Sequence, residues 1–169
     1  MKVIFLDVDG VLNNPNTRSR SPEGWRGVSK ELVDRLKRII SVTGAKVVLT
    51  STWKHSSNVE LEYLYKKLGK KAKPIDKTED PYDKDSYRGA GIRNYLKSHK
   101  EITEFVILDD FDFDFVIHDL HTHHVWTDSD TGITDEDVEK AIDVLNGNLI
   151  PEEEHYDMQN NQNIWGYHR

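Results

Sequence analysis

Val3-Ile4-Phe5-Leu6-Asp7-Val8-Asp9-Gly10-Val11-Leu12 is the stretch on which the fold turns. Its first four residues are β-branched, aromatic or aliphatic and have the length of a buried strand. Asp7 ends the apolar run, and Gly10 marks a sharp turn just beyond it. A solvated turn after a strand is the plain reading of an Asp-Gly pair. But a strand that delivers two carboxylates around a single residue is electrostatically costly unless a cation sits with them. Asp7 and Asp9 therefore read as chemistry.

Outward from this stretch, short apolar runs alternate with amphipathic ones. Leu32, Val33, Leu36, Ile39 and Ile40 recur at helical spacing, with Ser29 placed to cap the helix and Gly44 just past its end. Val47-Val48-Leu49 is a second strand-like run. Ser57-Asn58-Val59-Glu60 has the capping-box pattern, Leu61, Leu64, Tyr65 and Leu68 form one helical face, and Gly69 stops it. Lys70 to Tyr87 is polar and reads as loop, with one short strand near Pro74-Ile75. Ile92, Tyr95 and Leu96 mark a third helix. Phe105-Val106-Ile107-Leu108 is the third clear strand and Val125-Trp126 a short fourth. Thr134 opens a last helix whose expected buried face is Val138, Ala141, Ile142 and Leu145, and Gly147 closes it. The expected domain is residues 1–150. The polar tail from 151 to 169 has no period and is expected to dock loosely or stay disordered.

Strands alternating with helices predict an α/β, Rossmann-like fold: a mostly parallel sheet with helices on both faces. Ligands of such sheets bind beyond the carboxyl ends of the strands. Three runs end there in polar residues: Leu6-Asp7, Leu49-Thr50-Ser51 and Leu108-Asp109-Asp110. Distant segments thus deliver carboxylates and hydroxyls to one sheet edge.

Breaking a phosphoester needs an in-line nucleophile, neutralised oxygens and a proton for the leaving group. Two carboxylates alone repel a phosphate, and a divalent cation removes that repulsion. Magnesium suits hard oxygen donors. Asp7 and Asp109 can each give one oxygen, Asp110 can help, and the Asp9 carbonyl can supply another where the chain turns at Gly10. The Asp9 side chain is placed to reach the leaving group. To donate there it must hold a proton, which neighbouring carboxylates and partial burial favour. Gly10, Thr50, Ser51 and Arg88 are the expected substrate-binding positions. Arg88, with Lys84 second, is the candidate cation for the phosphate. Its plain alternative is a surface pair with Asp83 or Asp85.

Composition bounds these readings. The 169 residues suit one domain. With 31% charged residues and no apolar run near the roughly 20 that span a bilayer, a membrane protein is not expected. The first apolar run is too short for a signal peptide. The absence of cysteine excludes a disulfide framework and a thiolate nucleophile, and a cytoplasmic location is expected. The net charge of −7 disfavours tight nonspecific binding to nucleic acid. The lysines at 66, 67, 70, 71 and 73 read as a solvated helix end. Asp112 and Asp114, alternating with phenylalanines, read as surface residues or positions beside an aromatic-packed turn. His118, His121, His123 and His124 read as a loop, because His121 and His123 lack a partner at zinc spacing. Gly89-Ala90-Gly91 is no dinucleotide fingerprint, since no strand precedes it.

The run from Val3 to Leu12 resembles the first motif of haloacid dehalogenase (HAD) phosphatases, an apolar strand ending in D-x-D-G. Thr50, with Ser51 as the alternative, resembles the second motif, and Asp109-Asp110 the fourth. The resemblance implies a magnesium-dependent phosphomonoester hydrolase. Asp7 would form an aspartyl-phosphate, Asp9 would act as acid and then base, and Asp109 and Asp110 would hold the metal. The third motif is usually a lysine, and Arg88 stands in its place. Thr50-Ser51-Thr52-Trp53, Arg88-Gly89, Leu108-Asp109-Asp110, Thr127-Asp128 and Gly132-Ile133-Thr134 together resemble the small HAD domains associated with RNA-repair proteins. That implies a nucleotide or nucleic-acid end as substrate. Neither Asn13–Val28 nor Lys70–Tyr87 is long enough for a folded cap, so the capless type is expected. Arg18, Arg20, Trp25 and Arg26 then read either as a mobile flap that touches phosphate and stacks on a base, or as a solvated loop with Trp25 tucked in. The rival from another class is a non-catalytic phosphate- or metal-binding module, which needs no general acid. Dehalogenation is disfavoured because it needs no magnesium-binding acidic pair.

Overall fold

The computed structural model describes residues 1–79 and 87–154. Lys84, Asp83, Asp85 and most of the polar tail lie outside the described residues. Five strands form one sheet: β1 (Lys2–Leu6), β2 (Lys46–Leu49), β3 (Asp76–Lys77), β4 (Glu104–Asp109) and β5 (His124–Trp126). Their order is β3-β2-β1-β4-β5, and every neighbouring pair is parallel. Helices α1 (Lys30–Thr43), α2 (Asn58–Ala72), α3 (Arg88–Ser98) and α4 (Asp135–Leu145) accompany the sheet.

The apolar run that opens the chain becomes the central strand. Side chains alternate across a strand, so Ile4 and Leu6 pack into one core with α1, α2 and α4. Val3 and Phe5 pack into a second core with Ile92 and Tyr95 of α3, closed by Phe115 and Leu120. Both faces of β1 are therefore covered, which is why its sequence is continuously apolar. The short strand expected at Pro74-Ile75 lies at Asp76–Lys77 and pairs with the end of β2.

Element ends follow local chemistry, with some departures from expectation. Gly44 ends α1 at φ 70°, and its N–H donates to the Ile40 carbonyl. Ser29 does not cap α1 with its side chain; its backbone N–H donates to the Leu12 carbonyl instead. Thr134 and Asp137 form a complete capping box on α4. On α4, Val144 is fully buried, whereas the expected Ile142 packs only partly. Gly69 breaks the helical path at φ 72°, and one further turn runs to Ala72. Ser57 caps α2, but Glu60 does not reciprocate. Its Oε1 accepts from the Ser21 hydroxyl at 2.8 Å and from the Glu23 N–H at 2.6 Å.

Those two bonds tie the 13–28 segment to α2, and the segment is no folded cap. Residues 19–27 form a small hairpin in which Ser21 N–H donates to the Trp25 carbonyl and Gly27 N–H to the Ser19 carbonyl. Glu60 and Ser57, whose hydroxyl donates to Glu23 Oε1, pin the hairpin to α2. Trp25 is 69% exposed, so it is not tucked into the surface. At the other end, Glu154 pairs with Lys140 at 2.6 Å and Ile150 packs on the core. Among the described residues no helix is long and apolar enough to cross a membrane.

Candidate functional site

The strand register carries β1 past Leu6. Asp7 N–H donates to the Leu108 carbonyl at 2.9 Å, and Thr50 N–H donates to the Leu6 carbonyl at 2.9 Å. Those two bonds bring Asp7, Thr50-Ser51 and Asp109-Asp110 to one edge of the sheet. Asp7 is 4% exposed and Asp109 fully buried. One carboxylate oxygen each from Asp7, Asp109 and Asp110 lies within 4.8 Å of the other two. Two strand ends thus present three hard oxygen donors to a common point, a set that fits a divalent cation.

Gly10 makes the cluster possible. It has φ 72°, and a Cβ there would lie 2.1 Å from Asp110 Oδ2. Any larger residue would push Asp110 out of the site. The Gly10 carbonyl is held by the Thr127 hydroxyl at 2.9 Å, and its N–H donates to Asn13 Oδ1 at 3.1 Å.

Arg88 opens α3 and is 5% exposed. Its Nη1 lies 3.0 Å from Asp7 Oδ1 and also donates to Asp109 Oδ2. The guanidinium lies 4.2 Å from the centre of the Phe113 ring. Asp114 fixes this arrangement. Its carboxylate accepts from Gly89 N–H at 2.5 Å and Ala90 N–H at 3.0 Å, capping the helix that carries Arg88. Of the two readings left open by its alternation with phenylalanines, Asp114 takes the second: it is buried in a turn between Phe113 and Phe115.

Burial dominates the electrostatics. It raises the pKa of Asp7, against the charge of Arg88 and a hydrogen bond from Ser51. Burial and the Asp7 charge raise Asp109 well above the carboxylate range. The same pair of causes lifts Asp110 to about 7. Burial opposes the Arg88 charge, but Asp109 and Asp7 outweigh it, so its pKa is raised. One guanidinium beside three crowded carboxylates leaves the site short of positive charge.

Thr50 and Ser51 differ in their bonding. Ser51 hydrogen-bonds Asp7 and accepts weakly from Trp53 N–H at 3.4 Å. The buried Thr50 Oγ1 has no partner among the described residues. Asp9 stands apart from the three-carboxylate cluster. Its Oδ1 accepts from Asn13 Nδ2 at 2.6 Å and its Oδ2 from Trp53 Nε1 at 2.9 Å. It borders a cavity of about 270 Å³ shared with Trp25, Arg26, Trp53 and Glu60. The histidines from 118 to 124 form no metal-ligating group among the described residues; His123 instead stacks on Phe105 at 4.0 Å.

Asn13 and Lys54 escape sequence reading, while Trp53 enters it only as part of a motif and Asp114 only as part of an Asp-Phe alternation. The Lys54 ammonium is buried and bonds the Thr50 carbonyl and the Thr78 hydroxyl, both at 3.2 Å. The available signals were faint: an asparagine four residues after Asp9, and a tryptophan and lysine directly after the hydroxyl run.

A family model described as "HAD domain in Swiss Army Knife RNA repair proteins" matches residues 3–138. No curated protein and no solved structure matches the chain. The chain belongs to this HAD family.

Proposed function

We propose that this HAD-family chain is a magnesium-dependent phosphomonoester hydrolase that works through a phosphorylated Asp7, on a nucleotide or nucleic-acid end. The observation that carries the reading is the meeting of Asp7, Asp109 and Asp110 oxygens within 4.8 Å beside a buried Arg88. Asp7, Asp109 and Asp110 would hold the cation, with the Asp9 carbonyl as a further donor. When bound, magnesium would offset the negative charge of carboxylates and phosphate.

Asp7 attacks phosphorus, and the bond from phosphorus to the leaving oxygen breaks. Asp9 gives that oxygen its proton. Asp9 then takes a proton from water, whose oxygen attacks the phosphoryl group and frees Asp7. Arg88 neutralises phosphate oxygens with a charge that no accessible pH removes. The unpartnered Thr50 hydroxyl donates to one of those oxygens, and Ser51 steadies Asp7. Gly10 keeps the turn tight enough for substrate to approach the backbone. Asn13 and Trp53 hold Asp9 beside the reacting bond. Among the described residues no folded cap covers the strand edge, which suits a chain end as substrate.

Phosphate release with magnesium from an aryl phosphate and from phosphorylated oligonucleotide ends tests this. Chelation should abolish it. Asp7→Asn should lower kcat by on the order of 10³-fold or more, as loss of a nucleophile does. Unchanged turnover in that variant would end the proposal.

A further inference from the structure

The cavity beside Asp9 is not needed by the phosphate chemistry, yet it is built with care. Trp53 forms one wall, is nearly buried, and stacks on Tyr63 at 6.5 Å with 24° between the rings. Its indole N–H is spent on Asp9, so what it offers the cavity is ring surface. Trp25 and Arg26 come from the hairpin, and Trp25 carries the largest exposed aromatic surface in that segment. Most of the Trp25 indole is exposed, so its ring is available to a molecule in the cavity that it lines. Glu60 lines the same cavity at 1% exposure. Its Oε1 anchors the hairpin, while Oε2 is buried without a partner among the described residues. A buried carboxylate oxygen without a donor is costly, and a ligand N–H would relieve it.

We propose that this cavity is a base-binding subsite: it takes the base of the nucleotide that leaves, with Trp25 and Trp53 supplying ring surface and Glu60 accepting an edge N–H. The proposal rests on the hydrolase reading for its direction, because Asp9, as donor to the leaving oxygen, marks the side on which the leaving group lies. Arg26 at the same cavity suits the next phosphate of a chain. A volume of about 270 Å³ lies at the small end of ligand pockets. A phosphotyrosine ring would also stack, but its edge offers no N–H to Glu60.

Two measurements on the full chain test it. In the first, kcat/KM with magnesium is compared for 3′- and 5′-nucleoside monophosphates, ribose 5-phosphate and phosphotyrosine. The best nucleotide should exceed ribose 5-phosphate by roughly 5- to 150-fold, the range one stacked base supplies. Trp25→Ala should bring that ratio down toward one, and Trp25→Phe should restore most of it. A ratio unmoved by Trp25→Ala, or a preference for phosphotyrosine, would overturn the subsite. In the second, tryptophan fluorescence is titrated with adenosine monophosphate in chelator, where no turnover occurs. Saturable quenching should appear with the nucleotide and not with ribose 5-phosphate. It should weaken about 10-fold in Trp25→Ala. It should also weaken in Glu60→Gln, whose carbonyl can keep the hairpin bonds while its amide offers a donor in place of the free acceptor. Base-dependent quenching without any phosphate release would sink the hydrolase and leave the subsite standing. Phosphate release without base-dependent quenching would do the reverse.

Discussion

Arg88 concentrates the physics of the site in one side chain. It is buried between Asp7 and Asp109, and its planar fork and permanent charge suit that position better than an ammonium. Removing it would strand two buried carboxylates. Arg88→Met should therefore destabilise the protein by about 3–5 kcal/mol, the usual cost of orphaning a buried charge, and chemical denaturation would read it. Arg88→Lys should keep much of that stability while weakening phosphate binding. Equal stability of Arg88→Met and wild type would show that the two carboxylates do not depend on it. Sequence placed a cation here because the residue opens a helix after a long loop. It did not reveal the pair with Asp7 and Asp109, because nothing in local spacing says that residue 88 meets residues 7 and 109. Asn13 and Trp53 were hidden for a similar reason. Their bonds to Asp9 form only once the turn after β1 and the turn after β2 lie side by side.

At the scale of elements, β1 was the most legible part of the chain. Its four apolar residues, two aspartates and glycine announce strand, strand end and turn without help from elsewhere. The alternation of strands with helices predicted a mostly parallel sheet, but not the order β3-β2-β1-β4-β5, which depends on pairings between segments far apart in the chain. The hairpin was not legible, because Glu60 reads as a capping-box partner in sequence and as an anchor in three dimensions. Asp114 was only half legible, because an alternating Asp-Phe run fits a surface position and an aromatic-packed turn equally well. In the fold it caps α3 from across the site. Replacing such a cap typically costs about 1 kcal/mol. Asp114→Ala should cost at least that and also loosen the helix end that presents Arg88. We expect a higher KM for phosphate substrates with little change in KM for magnesium activation. Unaltered KM for substrate would mean that Arg88 is held without the cap.

Across the whole molecule, the sheet edge gathers negative charge that burial makes expensive. Asp7, Asp109 and Asp110 all have raised pKa values, Asp110 reaching about 7. Raised carboxylates favour the folded state when protonated. The contribution of Asp110 is fully present below the ordinary value of 3.8 and is lost as pH rises through about 7. Metal-free protein should therefore lose stability over that window. Magnesium should raise Tm more at pH 8 than at pH 5, because only the ionised cluster needs it. A magnesium increment in Tm that is the same at both pH values would contradict this. Among the described residues no folded cap stands over this edge, and the pinned hairpin flanks it.

The most direct test is to look for the phosphoryl group on Asp7. Asp9→Asn protein, mixed with magnesium and an aryl phosphate whose leaving group needs little protonation, should accumulate the adduct, because the residue proposed to activate water is gone. After acid quench, mass spectrometry should find a phosphorylated peptide that contains Asp7. Rapid phosphate release by this variant with no such peptide would contradict the account at its centre.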